Sequence, residues 1–257
     1  MRAIPREAAL GFQAGAADYE RGRPGYPEAA IARLAAELDL GPERVVVDLA
    51  AGTGKLTRAL LGLGADLVAV EPVAGMRAQL ERAVPGVEVL DGTAERMPLA
   101  DDSVHAVLVA QAFHWFDVPA AAAEIHRVLI PGGGLGVVRN EWDESVEWIV
   151  QMRALTAQHA SRVERDRSDD WREALSATGL FSRYDEAMFP NRVRVSLDTL
   201  RARIGSLSFV ALLADEPRRR LLDAVSDLVA ERDLIAADGL IDTPYRTHIT
   251  WCRALEM

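Results

Sequence analysis

Between Val45 and Val138 short apolar runs alternate with helix-like stretches, and this alternation limits the fold more than any other feature. Val45-Val46-Val47 ends at Asp48, and Leu67-Val68-Ala69-Val70 ends at Glu71. Val87-Glu88-Val89-Leu90 ends at Asp91; Val104 to Val109 and Leu135 to Val138 complete the series. Runs this short, apolar and bounded by Gly, Pro or Asp read as buried parallel strands. The intervening segments Lys55–Leu63, Met76–Ala83 and Pro119–Leu129 carry helical patterns, the last with proline suited to a first turn. Strand, helix and strand at this spacing predict right-handed βαβ units and a doubly wound α/β sheet.

An additional helix is expected over Pro27–Leu40, stopped by Gly41-Pro42. Beyond Asn140 the pattern changes. Ser145–Arg162 and Ser168–Thr178 read as helices, and Phe181–Val195 as strand interrupted by Pro190. Leu197–Leu240 reads as two or three helices and Thr247–Ala254 as a last strand; Asp238-Gly239 and Thr243-Pro244 are turn signals. The expected whole is a mostly parallel, seven-stranded Rossmann-like sheet with a helical cap inserted in the C-terminal half. Its parts are an N-terminal helical segment (1–43), a ligand-binding core (44–140), and the cap with the last strands (141–257).

Open α/β sheets bind ligands beyond the carboxyl ends of their strands. The first strand runs into Asp48-Leu49-Ala50-Ala51-Gly52-Thr53-Gly54-Lys55, where Gly52 and Gly54 let the backbone approach a ligand. A phosphate-binding P-loop is rejected: Leu49 stands where its first glycine belongs, and Leu56 where its Ser/Thr belongs. A dinucleotide loop survives weakly, with Thr57 in place of the third glycine. The third reading is S-adenosylmethionine (SAM), a cationic sulfonium without phosphate, whose site needs acidic groups more than an anion cradle. Asp48 is placed to organise the loop or to face the methionine ammonium through water. Glu71, ending the second strand, can accept both ribose hydroxyls, and the Asp91-Gly92-Thr93-Ala94 turn can hold the adenine edge. That turn and the missing third glycine favour SAM over a nicotinamide dinucleotide.

These residues resemble successive motifs of class I SAM-dependent methyltransferases of the type 11 kind. The motifs are Asp48 to Gly54, then Val70-Glu71-Pro72 with Met76, then Asp91 to Leu99, then His126-Arg127-Val128-Leu129 before Pro131-Gly132-Gly133. The first of the family's three alternating glycines is Ala50 here. Tyr19 to Pro27 and Gln111 to Asp117 are similar to a subgroup that includes trans-aconitate methyltransferase-like proteins. The resemblance implies that Glu71 binds the ribose, Gly52 and Gly54 line the methionine part, and Thr93-Ala94 meets the adenine. It further implies that the Tyr19–Tyr26 segment folds over the cofactor. The cofactor-binding candidates are therefore Tyr19, Asp48, Ala50, Gly52, Gly54, Glu71, Pro72, Met76, Gly92, Thr93, Ala94 and Gln111.

Methyl transfer is an in-line displacement in which alignment and desolvation supply most of the catalysis. A base is needed only for a neutral hydroxyl or protonated amine. His114 is the leading candidate base, Trp115 and Phe113 candidate walls around the methyl, and Asn140, Glu141 and Trp142 candidate substrate contacts. His105, in mid-strand, reads as structural. Arg201 and Arg203 are candidates to grip a carboxylate acceptor, against a default of exposed helix arginines.

Composition narrows the partners. With 29 basic and 39 acidic residues the net charge is −10, and no basic stripe with interleaved aromatics occurs, so nucleic-acid acceptors are disfavoured. No long apolar run suggests a membrane span, and the first residues do not read as a signal peptide. Cys252 is the single cysteine, which fits a reducing, cytoplasmic setting. The five histidines are scattered, so no metal site is expected. A small-molecule methyltransferase leads, with an NAD(P)-dependent oxidoreductase or a non-catalytic SAM-binding protein as alternatives; the oligomeric state is open.

Overall fold

The structure is a computed structural model and describes residues 23–159 and 170–256. Its framework is a seven-stranded sheet in the order β3-β2-β1-β4-β5-β7-β6. The strands are β1 (Val45–Leu49), β2 (Asp66–Val70), β3 (Glu88–Leu90), β4 (Val104–Ala110), β5 (Leu129–Trp142), β6 (Asp185–Val195) and β7 (Ile241–Arg253). β1 to β5 pair in parallel, while β7 runs antiparallel to both β5 and β6.

The helices are α1 (Glu28–Leu38), α2 (Lys55–Leu60, continued by a 3-10 turn to Leu63), α3 (Ala74–Ala83) and α4 (Val118–Val128), then α5 (Glu147–Ala157) and α6 (Asp170–Ala177). After β6 come α7 (Leu197–Gly205), α8 (Ser208–Ala211) and α9 (Asp215–Glu231). The strands alternate between two cores, as a pleated ribbon must. Val47, Leu49, Val107 and Val109 pack with Ile125 of α4 and Leu175 of α6. Val46, Ala106 and Leu108 pack on the other face with Leu34 and Leu38 of α1 and with Leu56 and Leu60 of α2. A third core joins α5, α7 and α9 through Ile149, Leu200, Ile204 and Val225.

Two proline readings change. Pro190 does not interrupt β6, which is an edge strand with β7 as its one neighbour, where a missing N–H is tolerated. Pro244 is not a turn but lies inside β7, which begins at Ile241 rather than Thr247. Its carbonyl accepts from Asp143 N–H (3.1 Å), so its nitrogen faces the side where β5 has just ended. A proline there removes no bond of the β5–β7 ladder. Residues 181–184 stay outside β6, apart from a bridge between Phe181 and Ala254.

Candidate active site

The sheet order reverses between β1 and β4, which leave this point with their connections on opposite sides. A crevice therefore opens beyond their carboxyl ends. Ala50 to Thr53, following β1, and Ala110 and Gln111, ending β4, line a narrow cavity there. Arg23, Tyr26, Lys55 and Arg203 complete its wall.

The loop is shaped by three alternate residues in the left-handed region: Ala50 at φ 57, Gly52 at φ 58 and Gly54 at φ 83. The two glycines adopt this region freely, whereas Ala50 strains against its own Cβ. Gly54 also lies where a Cβ would come 3.0 Å from Leu80 of α3. Met76 is buried, and a Cβ on Gly52 would lie 3.8 Å from its Sδ.

Glu71 stands at the centre of this geometry. Its Oε2 accepts the Gly52 N–H at 2.9 Å and its Oε1 accepts the Val73 N–H at 2.9 Å. The loop after β1 and the end of β2 are thus clamped together by one carboxylate. Each oxygen keeps a second lone pair, which is what a sugar diol would use. Burial pushes the Glu71 carboxyl up, opposed by the two backbone hydrogen bonds and by Arg77. Arg77 in turn donates to the Glu71 carbonyl (2.8 Å) and to Asp91 (2.9 Å), tying the ends of β2 and β3. Pro72 lies half-buried beside this clamp.

Asp48 faces the opposite side of β1 and is 1% exposed. Its Oδ2 accepts the Thr57 hydroxyl at 2.6 Å, while Oδ1 has no hydrogen-bond partner among the described residues. Burial raises its pKa to about 7. Asp48 therefore braces the loop against α2 from beneath. Arg23 and Lys55 line the cavity itself, which suits the carboxylate of an amino-acid tail.

The third strand end forms a tight turn, with reciprocal 3.1 Å hydrogen bonds between the backbones of Thr93 and Arg96. At Gly92 a Cβ would meet Pro98 at 2.7 Å and Val70 at 2.9 Å, so the chain passes only as glycine. Thr93 is exposed, whereas the Ala94 methyl joins the core and leaves its backbone as the usable part. Sequence reading missed what holds this turn. Glu95 accepts the Asp117 N–H at the start of α4 (3.1 Å), Glu124 accepts the Met97 N–H (2.6 Å), and Arg127 donates to the Leu99 and Met97 carbonyls. Paired with Arg127, Glu124 has its carboxyl held below the usual range.

Gln111 sits at φ 59, its N–H bonded to Val138 and its side-chain amide to the Asn140 carbonyl at 3.1 Å. Asn140 is the hub of a network that sequence reading also missed. Its Nδ2 donates to the Gly25 carbonyl (2.9 Å), and its Oδ1 accepts from Thr247 (2.5 Å) and Asn191 (3.2 Å). Asn191 also donates to Gly25 at 2.9 Å. Residues 24–26 are thereby fastened over the last residues of β5 and the middle of β6 and β7. Tyr19 lies outside the described residues.

His114 and Trp115 occupy a 3-10 turn after β4, half-buried, with ring centroids 5.1 Å apart. Neither lines the switch-point cavity or the larger cleft described next. Phe113 is core rather than wall, 1% exposed against Phe116 and Trp171. His105 is structural, its Nδ1 accepting the Val45 N–H at 3.0 Å. Arg201 is engaged with Asp223, Ser226 and the Leu222 carbonyl. Arg203, against the default for a helix arginine, is buried. Off the end of β5 opens a cleft of about 760 Å³ between Asn140 to Ser145, α5 and α7, within the usual range for small-molecule sites. Among the described residues no group of His, Cys, Asp and Glu could hold a metal ion.

Residues 47–137 match the family described as a methyltransferase domain. An uncharacterised methyltransferase of Mycobacterium tuberculosis is 37% identical over 242 residues, covering 94% of this chain and 95% of the relative. The chain belongs to the class I SAM-dependent methyltransferases. Among solved structures, a protein of Anaeromyxobacter dehalogenans provisionally named a type II methyltransferase superposes with a TM-score of 0.64 at 24% identity, covering 91% of this chain and 97% of that one. The Haemonchus contortus phosphoethanolamine N-methyltransferase 2, held with phosphomonomethylethanolamine and S-adenosylhomocysteine (SAH), gives 0.55 at 18% identity over 95% of this chain and 58% of that one. At those identities the two structures establish the fold. For this methyltransferase the conformation of the loop fits the cofactor its family uses: Gly52 and Gly54 open the backbone, and Glu71 lies at the edge of the same loop.

Proposed function

We propose that the chain methylates a small molecule seated in the cleft off β5, with SAM held at the switch point between β1 and β4. The observation that carries this reading is Glu71, whose carboxylate bonds Gly52 of the loop and Val73 beyond β2 within one buried cluster. When bound, SAM supplies the electrophilic methyl. The chain's part is to hold and orient. Gly52 and Gly54 pass beside the methionine tail, Arg23 and Lys55 face its carboxylate, Glu71 takes the ribose diol, and the Thr93-Ala94 turn takes the adenine. His114 lines neither cavity, so the reading assigns it no general-base role.

Three features support a small acceptor. The cleft has the volume of a small-molecule site, the chain carries a net charge of −10 that repels phosphate backbones, and Arg218 to Arg220 lie on α9 with Glu216 beside Arg219 and Arg220. Among the described residues no helix is long and apolar enough to cross a membrane. The single cysteine, buried and with its thiol pushed up to about 12, suits a reducing cytoplasmic setting.

Calorimetry with SAM, SAH and NADH tests the cofactor, and labelled SAM with a metabolite panel tests the acceptor. SAM and SAH are expected to bind and NADH not to. Label in a polymer fraction alone, with none in small products, would refute the small acceptor.

A further inference from the structure

Arg203 is the residue common to the switch-point cavity and the large cleft. It is 6% exposed and sits on α7 at the junction the methyl group must cross. Its guanidinium lies 5.6 Å from the centre of the Trp142 ring, and it hydrogen-bonds the Tyr245 hydroxyl. Trp142 and Tyr245 are themselves stacked, with ring centroids 4.2 Å apart. A guanidinium presents five N–H donors in a rigid fork suited to a carboxylate or phosphate. It can hold a ligand anion while keeping protein partners.

The rim of the cleft carries ion pairs. Arg139 faces Glu141 at 3.1 Å, Arg246 faces Asp143 at 2.9 Å, and Arg153 faces Glu144. A compact polyanion would meet these carboxylates as well as the arginines. The inner wall is apolar, with Met152, Ile204, Leu207 and Phe209 beside Trp142.

Resting on the methyltransferase reading above, we infer that the cleft takes an acceptor with one anionic group and a mainly apolar body, the anion gripped by Arg203 and the body laid along Trp142 and Phe209. Arg203 is an acceptor-binding residue in this scheme, standing where the cofactor cavity meets the cleft. The acceptor's anion sets its orientation toward the methyl, and the atom methylated lies elsewhere on it or in the same group.

The probes are 2-naphthylacetate, its uncharged counterpart 2-naphthylethanol, and citrate as the compact polyanion, titrated by calorimetry into the full chain with and without saturating SAH. The acid is expected to bind at least tenfold more tightly than the alcohol, and citrate more weakly than either. Arg203→Gln is expected to erase the tenfold preference in the titrations without SAH, and Arg203→Lys to restore part of it. Equal binding of acid and alcohol, no binding of the acid, or citrate as the tightest of the three overturns the inference. So does an Arg203→Gln chain that loses SAH affinity and keeps its preference for the acid. If that variant does not fold, the ranking on the natural chain decides alone. Failure of the natural chain to bind SAH would instead refute the proposed function, and the ranking measured without SAH would still judge the cleft.

Discussion

Single residues at the loop carry measurable strain and charge. Ala50 holds φ 57, a region that costs an L-residue roughly 1–2 kcal/mol. Ala50→Gly removes that strain and adds about 0.5–1 kcal/mol of chain entropy to the unfolded state. The net gain should be about 0.5–1 kcal/mol, a rise in Tm of about 2 °C for a chain of this size; a lower Tm by calorimetry would mean the strain is absent. Asp48 predicts a pH dependence. Unfolded, it titrates near 4, but in the fold at about 7 because burial disfavours its charge. Between those values the folded chain keeps a proton that the unfolded chain has released. Its contribution is complete below about pH 4 and is lost as pH rises through about 7. The full swing is on the order of 4 kcal/mol. Asp48→Asn keeps an acceptor for Thr57 and cannot titrate, so it should lose less Tm than the natural chain between pH 5 and pH 8. Equal losses would show that Asp48 is ionised throughout. Sequence placed Asp48 and Glu71 at strand ends because strand ends are local. It did not show Asp48 turned toward α2, because facing depends on which pleat of β1 the helix covers.

At the scale of elements, the turn after β3 is set by a helix. Arg127, near the end of α4, pairs with Glu124 at 2.7 Å and reaches the Leu99 and Met97 carbonyls across the turn. Arg127→Gln cannot make the fork that joins helix and turn, and charge-assisted hydrogen bonds of this kind contribute about 1.5–3 kcal/mol each when neither end is fully exposed. The expected result is about a tenfold loss of SAH affinity with the sheet intact by circular dichroism. Unchanged SAH binding would place the adenine away from this turn. Five parallel strands and their helices were legible because each is a local pattern of apolar period bounded by breakers. The later prolines were misleading for the opposite reason. Pro190 is harmless on an edge and Pro244 at a strand start beyond the end of β5, and an edge is defined only once the sheet is assembled. The glycines of β5 were likewise opaque: a Cβ at Gly134 would lie 2.6 Å from Leu38 of α1, a contact nearly a hundred residues distant in sequence.

On the scale of the whole molecule, the site is closed by parts remote in the chain. The wall at residues 24–26 is fastened by Asn140 from β5 and Asn191 from β6, and Thr247 from β7 holds the Asn140 side chain in place. No local pattern announces Asn191, which reads as an ordinary polar residue after a proline. Its amide nonetheless bonds both Gly25 (2.9 Å) and Asn140 (3.2 Å) in a region where it is 9% exposed. Asn191→Ala leaves the Gly25 carbonyl with Asn140 alone and removes the link between the edge strand and the N-terminal wall. A lost hydrogen bond of this kind costs about 1–1.5 kcal/mol. If the wall helps to retain the cofactor, SAH should dissociate about tenfold faster, while amide exchange over residues 25–31 rises by a similar factor and exchange in β1 and β4 does not. Stopped-flow fluorescence and hydrogen exchange on the same variant separate the alternatives. Faster exchange with unchanged SAH dissociation would reduce the network to a fold-stabilising tie. Unchanged exchange with faster dissociation would put Asn191 itself against the ligand. The coupling of both is what a wall held from β5 and β6 requires, since the edge strand reaches the crevice between β1 and β4 only through the segment it fastens.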